Sequence, residues 1–311
     1  MENKILGIHH ITAIAGNAKR NYDFYTKVLG LRFIKKTVNF DDPGTYHFYF
    51  GDEVGSPGTI LTFFPWEGIA KGRQGNGMAT DIGYSVPDNS LAFWAERLNK
   101  NNVIINSTGT RFGEKYLAFE DPDGLPLSLI ISNTSDKRKP WETADVKADV
   151  ATKGFHSITL TLKTVENTAK VLTDILDYKF VGKEGNRHRY RTDTVENAAI
   201  VDLIENPTAA SSVNAGGTIH HIAFRVKDEK VLMEYREKVV RNYLNITQKI
   251  DRNYFFSLYF REPGGVLFEI ATDNPGFAID EPVNEFGKNL KLPAQYESNR
   301  SQIEAALPVL N

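Results

Sequence analysis

The chain has 311 residues, a formal net charge of −2 and a composition typical of a globular protein. Its near-neutral charge and the lack of a long apolar run predict neither nucleic acid nor a membrane as a partner. The chain contains no cysteine, which excludes disulfides, thiolate metal sites and a cysteine nucleophile. Any metal must therefore be held by His, Asp or Glu. The first residues lead into a predicted strand without a secretory segment, so a cytoplasmic location is expected.

The first 132 residues predict two βαβββ units. In the first unit, residues 7–65, hydrophobic periodicity and turn residues predict a strand over 8–14, a helix over 18–29 and strands over 32–39, 46–50 and 59–64. In the second unit, residues 78–132, they predict a strand over 82–86, a helix over 88–99 and a last strand over 126–131.

Two further units repeat the first two. Residues 154–205 align with the first unit without a gap at an offset of 147, so that His9 meets His156. Residues 217–272 align with the second unit at an offset of 140, which becomes 141 after one inserted residue. Four such units predict an α+β fold. Residues 136–152 are predicted to link an N-terminal half, 1–135, to a C-terminal half, 153–311.

A pair of adjacent histidines occurs twice in apolar, β-branched surroundings. His9 and His10 lie in the first strand of unit one, and His220 and His221 lie in the first strand of unit four. Successive side chains of a strand point to opposite faces. One histidine of each pair is therefore predicted to face a site, and the other to support it.

This organisation resembles the vicinal oxygen chelate superfamily, also called the glyoxalase, bleomycin resistance and extradiol dioxygenase superfamily. The similarity is highest to the branch that cleaves the rings of hydroquinones, and its motifs are Leu6 to Thr12, Gly185 to Arg191, Ile219 to His221 and Pro263 to Glu269. The resemblance implies that pairs of βαβββ units form incomplete mixed β-barrels, one of which encloses a divalent metal. It also implies a role in the breakdown or detoxification of aromatic compounds.

Equivalent positions of the four units can be compared for metal-binding chemistry. In the first strands of units one to four, the inward positions are His10, Asp81, Ser157 and His221. In the last strands of the same units, they are Thr62, Ser128, Asp202 and Glu269. Only units one and four supply imidazoles, and only unit four adds a glutamate. The predicted metal ligands are therefore His10, His221 and Glu269. A salt bridge from Glu269 to Arg252 is the alternative explanation of the buried carboxylate.

One ion can bind all three side chains only if unit one pairs with unit four. Units two and three would then pair with each other, so that neighbours in sequence do not share a barrel. The second barrel would carry Asp81, Ser128, Ser157 and Asp202 at the equivalent positions. With no histidine among them, this barrel is predicted to be structural, and whether Asp81 and Asp202 bind anything is left open.

Five further residues are predicted to act around the metal. Thr12 shares a strand face with His10 and is expected to line the cavity. The resemblance places His9 and His220 close to the metal, with His220 as acid/base, and Arg252 and Tyr259 near the substrate. Arg252 would stabilise a substrate oxyanion and Tyr259 would donate a hydrogen bond; a surface guanidinium and a core tyrosine are the alternatives. His188 has no predicted role.

Three protein ligands leave positions free for a substrate and dioxygen. This favours an Fe(II)-dependent, extradiol-type ring-cleaving dioxygenase acting on a hydroquinone or related phenol, with Mn(II) as the second choice of metal. A glyoxalase-type isomerase or thiol transferase is expected to need a fourth ligand, where the chain has Thr62. A protein that only sequesters a small molecule would not need the triad. A homo-oligomer is left open.

Overall fold

Two eight-stranded mixed sheets form the framework of the chain, in a computed structural model that describes residues 3–310. The strands of the N-terminal half are β1 Ile8–Ala15, β2 Arg32–Asn39, β3 Asp42–Gly51, β4 Ile60–Pro65, β5 Met78–Val86, β6 Ile105–Arg111, β7 Glu114–Glu120 and β8 Pro126–Ile131. Those of the C-terminal half are β9 Phe155–Leu162, β10 Lys179–Glu184, β11 Arg187–Arg191, β12 Ile200–Glu205, β13 Thr218–Val226, β14 Ile250–Asp251, β15 Phe255–Arg261 and β16 Leu267–Pro275.

The order of the strands confirms the predicted α+β fold and the predicted pairing of units. The first sheet runs β14-β15-β16-β13-β1-β4-β3-β2 and joins unit four to unit one. The second runs β10-β11-β12-β9-β5-β8-β7-β6 and joins unit three to unit two. In each sheet the first strands of the two units pair antiparallel at the centre, β1 with β13 and β5 with β9. Each sheet therefore takes strands from both halves, and the division at residues 136–152 stays a prediction.

The helices pack against these sheets in one hydrophobic cluster with residues of both halves. They are α1 Ala18–Asp23, α2 Leu91–Lys100, α3 Glu166–Lys170, α4 Glu229–Arg241 and α5 Arg300–Ala306. Among the described residues, no helix is long and apolar enough to span a membrane.

The helix predicted over residues 18–29 differs from the observed one. After α1 the chain continues as a π-helical turn, Phe24–Val28, and the repeat has the same turn after α3, Val171–Ile175. The buried side chains of Phe24 and Tyr25 lie within this wider turn. Hydrophobic spacing predicted the extent of the helix but not this local widening.

Residues after β16 cross the edge of the first sheet at β2. The buried Lys35 ammonium contacts the carboxylates of Asp280 at 2.7 Å and Glu281 at 2.5 Å. Further along the tail, the amide of Lys291 donates to the carbonyl of Lys36 at 2.9 Å. The tail therefore covers the exposed backbone of an edge strand.

Candidate metal centre and substrate cavity

The two histidine pairs lie at β-bulges where β1 and β13 meet. Pairing moves from Ile8–Phe224 directly to His10–Ala223, which leaves His9 as an extra residue, and a second shift leaves His220 as an extra residue on β13. A bulge re-aims the side chains beside it. The Nδ1 atoms of His9 and His10 lie 2.9 Å apart, and those of His220 and His221 lie 2.8 Å apart. Strict alternation of faces therefore does not hold at either pair.

These bulges bring His10 and His221 to the carboxylate of Glu269, which lies on β16 beside β13. The Nε2 atoms of His10 and His221 lie 3.2 and 2.9 Å from Glu269 Oε2. The other carboxylate oxygen, Oε1, accepts a hydrogen bond from the hydroxyl of Ser257, which is fully buried. Side chains from four strands, β1, β13, β15 and β16, thus meet around the Glu269 carboxylate.

The chemistry of this cluster fits a cation. One donor atom from each of His10, His221 and Glu269 lies within 4.8 Å of the others, and all three residues are buried. His221 Nε2 and Glu269 Oε2 have no hydrogen bond of acceptable geometry among the described residues. Buried polar atoms without partners are rare and costly. A divalent cation would satisfy both atoms at once.

Electrostatics favours the metal-binding protonation states of Glu269 and His221. Burial by itself would raise the pKa of Glu269, but His10 and His221 lower it well below its usual range. Burial lowers the pKa of His221, against the opposing effect of Glu269. At neutral pH the glutamate is therefore ionised and the His221 ring is neutral, the forms in which each binds a metal.

A cavity of about 280 Å³ opens beside the cluster. Its walls include six aromatic side chains, those of Phe40, Tyr49, Phe64, Trp66, Phe255 and Tyr259. Of the residues predicted to act here, Thr12, His220, Arg252 and Tyr259 line the cavity with His10 and His221. The cavity is large enough for one substituted aromatic ring, since a cavity of about 150 Å³ holds benzene.

His9 lies outside this lining. It is 2 % exposed, its Nδ1 faces His10, and it is hydrogen-bonded to the backbone of Thr272. Burial, with a contribution from His10, lowers its pKa well below the usual range. His9 therefore contacts the His10 ring and not the cavity.

Arg252 and Tyr259 lie together at the side of the cavity. The guanidinium carbon of Arg252 is 5.4 Å from the centroid of the Tyr259 ring, and its Nη1 is 3.5 Å from a carboxylate oxygen of Asp41. The alternative salt bridge from Arg252 to Glu269 is not observed. Among the described residues, the ion-pair partners of Glu269 are His10 and His221.

The sequence model of the Glyoxalase/Bleomycin resistance protein/Dioxygenase superfamily matches residues 7–129 and 154–270. The chain belongs to this superfamily. It is 47% identical over 307 residues to the "Putative ring-cleaving dioxygenase MhqO" of Bacillus subtilis (strain 168), with 99% of this chain and 97% of that protein covered. It is also 35% identical over 309 residues to the chlorohydroquinone/hydroquinone 1,2-dioxygenase of Sphingobium indicum, with 97% and 96% covered.

A solved structure has the same fold over nearly the whole chain. The crystal structure of a "putative dioxygenase" from Bacillus subtilis superposes with a TM-score of 0.95 at 45% identity, covering 99% of this chain and 98% of that one. Together with the full-length relatives, it identifies this member of the superfamily as an enzyme of the dioxygenase class. The superfamily provides the fold, while the residues of the cavity must explain the chemistry.

Several cavity residues of this dioxygenase were not predicted from the sequence. His47 Nε2 lies 2.9 Å from the hydroxyl of Thr62, which lies 2.8 Å from the hydroxyl of Thr12, and the Tyr49 hydroxyl lies 3.0 Å from His47 Nδ1. Burial, with contributions from His10 and His221, lowers the pKa of His47 well below the usual range. The sequence signal for these residues is the alternation of β3, which places His47 and Tyr49 on one face, while their meeting with Thr62 depends on the pairing of β3 with β4.

The second sheet lacks the cluster and fills the equivalent space with arginines. Arg111 pairs with Asp81 at 2.9 Å, Arg187 pairs with Asp202 at 3.1 Å, and Arg189 pairs with both Asp202 and Glu114. Ser128 also donates to Asp81, at 2.9 Å. Asp81, Asp202 and Glu114 thus have protein partners, and the triad of the first sheet is the one group of metal-binding type found in residues 3–310.

Proposed function

We propose that this dioxygenase is an Fe(II)-dependent, extradiol-type enzyme that cleaves the ring of a hydroquinone or related phenol. The observation that carries the proposal is a buried cluster of His10, His221 and Glu269, two of whose atoms lack a hydrogen bond of acceptable geometry, beside a cavity with aromatic walls. The hydroquinone dioxygenase of Sphingobium indicum, similar over the full length, supports the choice of substrate.

His10, His221 and Glu269 would hold the metal. Two imidazoles and one carboxylate suit Fe(II), with Mn(II) as the alternative, and leave other positions free. When bound, the metal supplies the redox link between the aromatic ring and dioxygen. Binding needs a lone pair at Nε2 of each histidine, so His10 and His221 carry their protons on Nδ1. Each then donates to its neighbour, His9 or His220, which fixes the orientation of the ring.

The cavity orients a ring with two para hydroxyls. These hydroxyls are too far apart to reach the cluster together, so one faces the cluster while the other points away from it. Aromatic side chains such as Phe64 and Phe255 contact the ring and exclude water from it. A single six-membered ring fits this arrangement, and the walls leave room for small substituents.

Side chains around the ring manage charge and protons. Burial, with a contribution from His221, lowers the pKa of His220 to about 3, so its ring is neutral at physiological pH. Because His220 Nδ1 accepts from His221, its proton is on Nε2, from which it can donate to a substrate oxygen. Arg252, always protonated, balances the charge of an ionised substrate hydroxyl. The Tyr259 hydroxyl has its pKa raised by burial and stays a hydrogen-bond donor.

Thr62 argues against an isomerase with four protein ligands. Its hydroxyl is already hydrogen-bonded to Thr12 and His47, and a neutral hydroxyl is a poor ligand for Zn(II) or Ni(II). A purely sequestering protein would not require the buried cluster. The cavity of the first sheet therefore favours oxygenation over both alternatives.

Oxygen uptake tests the proposal. The protein is loaded with Fe(II) under anaerobic conditions, with a Mn(II)-loaded sample for comparison, and then mixed with hydroquinones and catechols in air-saturated buffer. We expect one dioxygen to be consumed per hydroquinone and a ring-opened acid as the product. Absence of oxygen uptake with every dihydroxybenzene, together with anaerobic isomerisation of a thiohemiacetal, would favour the isomerase instead.

A further inference from the structure

The turn between β2 and β3 borders the cavity on an exposed side, which we call the mouth. Asn39, Phe40 and Asp41 all line the cavity, although they lie at the tip of a hairpin. Phe40 is half-buried and Asp41 is 79% exposed. These exposed positions put the turn at one edge of the opening, so the position of the turn contributes to the shape of the opening.

Two contacts hold the turn from the side of the cavity. The indole nitrogen of Trp66 donates to the carboxylate of Asp42 at 3.1 Å, and Arg252 faces Asp41 at 3.5 Å. Both partners line the cavity themselves. The second contact involves a highly exposed carboxylate and contributes little by itself.

A third contact comes from the C-terminal tail. The hydroxyl of Tyr296 donates to the backbone carbonyl of Phe40 at 2.6 Å. Tyr296 is half-buried in the 3₁₀ segment Ala294–Asn299 and does not line the cavity. The tail is fastened to β2 at Lys36, so this hydroxyl is held in place from outside the cavity.

We propose that Tyr296 is a positioning residue for substrate binding, acting through Phe40. The inference rests on the proposed function for the identity of the substrate, but not for the structural coupling itself. The hydrogen bond fixes the carbonyl of Phe40, and with it the aromatic wall that Phe40 contributes to the mouth. Without the bond, the turn samples more conformations, and a bound ring must order it again. Substrate affinity falls, while the chemistry at the cluster is unchanged.

The chain offers a matched control at Tyr46. Its hydroxyl donates to the backbone carbonyl of Pro308 at 3.0 Å, which also joins the first unit to the tail. Tyr296→Phe and Tyr46→Phe each remove one hydroxyl that binds a backbone carbonyl. Because each variant loses one such hydrogen bond, we expect similar effects on the free energy of unfolding. Only Tyr296→Phe releases a residue that lines the cavity, so we expect only this variant to change the mouth.

The experiment compares the wild type and both variants as full-length, Fe(II)-loaded protein. For Tyr296→Phe we expect the KM for hydroquinone to rise roughly threefold to tenfold, the effect of one neutral hydrogen bond, with kcat within about twofold. For Tyr46→Phe we expect no change in either constant. In the resting protein, hydrogen–deuterium exchange of residues 39–45 should be faster in Tyr296→Phe than in Tyr46→Phe.

Equal exchange at the turn in the two variants overturns the inference, whatever the enzyme does. An equal rise of KM in both variants also overturns it, because the effect would then be general loosening of the tail. If the wild type consumes no oxygen with any dihydroxybenzene, the proposed function fails, and the exchange measurement still decides whether Tyr296 positions the turn.

Discussion

Ser257 gives a sharp test of the candidate metal centre, because it touches Glu269 and not the metal position. Its hydroxyl donates to Glu269 Oε1, and both side chains are fully buried. Ser257→Ala removes a hydrogen bond to a charged group, worth about 1.5–3 kcal/mol, at a place where water cannot replace it. Partners of this kind typically change metal affinity by about 10- to 100-fold when removed. We expect a loss of Fe(II) affinity in that range.

The assay is an anaerobic competition titration of Fe(II) against a chromophoric chelator. Ser128→Ala is the matched control, because Ser128 is equally buried and donates to the Asp81 carboxylate in the sheet that lacks the triad. We expect the two variants to lose similar stability in urea unfolding, while only Ser257→Ala loses iron affinity. Unchanged Fe(II) affinity in Ser257→Ala, or an equal loss in Ser128→Ala, would refute the reasoning.

Two further predictions concern the triad and its neighbour His220, and a third concerns a buried glutamate of the second sheet. Glu269→Gln removes the charge of the carboxylate but not its volume, so we expect a folded protein with little iron by elemental analysis and no turnover; near-normal iron content would contradict the triad. His220→Ala should slow oxygen uptake more than it weakens Fe(II) binding, and the opposite order would mean that His220 only supports His221. In the second sheet, burial would raise the pKa of Glu114, but His156 and Arg189 lower it to about 2. Its contribution to stability is therefore complete above about pH 4.5 and lost as pH falls towards 2, by about 1–2 kcal/mol after solvent screening. The difference in urea unfolding free energy between wild type and Glu114→Gln should shrink between pH 7 and pH 3, and a constant difference would disprove this.

Most of the framework could be predicted from the sequence because it depends on local patterns and on repetition. The strands Arg32–Asn39 and Pro126–Ile131 begin and end where hydrophobic alternation and turn residues place them. Comparison of the four units gave one inward position in the first strand and one in the last strand of each unit. The distribution of His and Glu over these positions predicted that unit one pairs with unit four, as the strand order confirms. These inferences need only the period of a strand and the chemistry of each side chain.

The details of the site depend on contacts between distant segments, and the tertiary structure decided them. The bulges at His9 and His220 exist only where β1 meets β13, because a bulge is a mismatch between two strands and not a property of one. The same holds for His47 and Ser257, whose roles follow from the register of β3 with β4 and of β15 with β16. A local pattern shows that these side chains can face inward, but not what they meet there.

The second sheet and the mouth of the cavity show the same difference between what the sequence predicts and what the tertiary structure decides. The sequence by itself predicted that the ligand positions of the second sheet, Asp81 and Asp202 among them, hold no histidine, and it left open what these two residues bind. Only the folded chain showed that arginines neutralise both carboxylates, and that Tyr296 reaches the carbonyl of Phe40 across 256 residues. The period of a strand is encoded in neighbouring residues, whereas hydrogen bonds and ion pairs between segments depend on where the completed fold places their backbones.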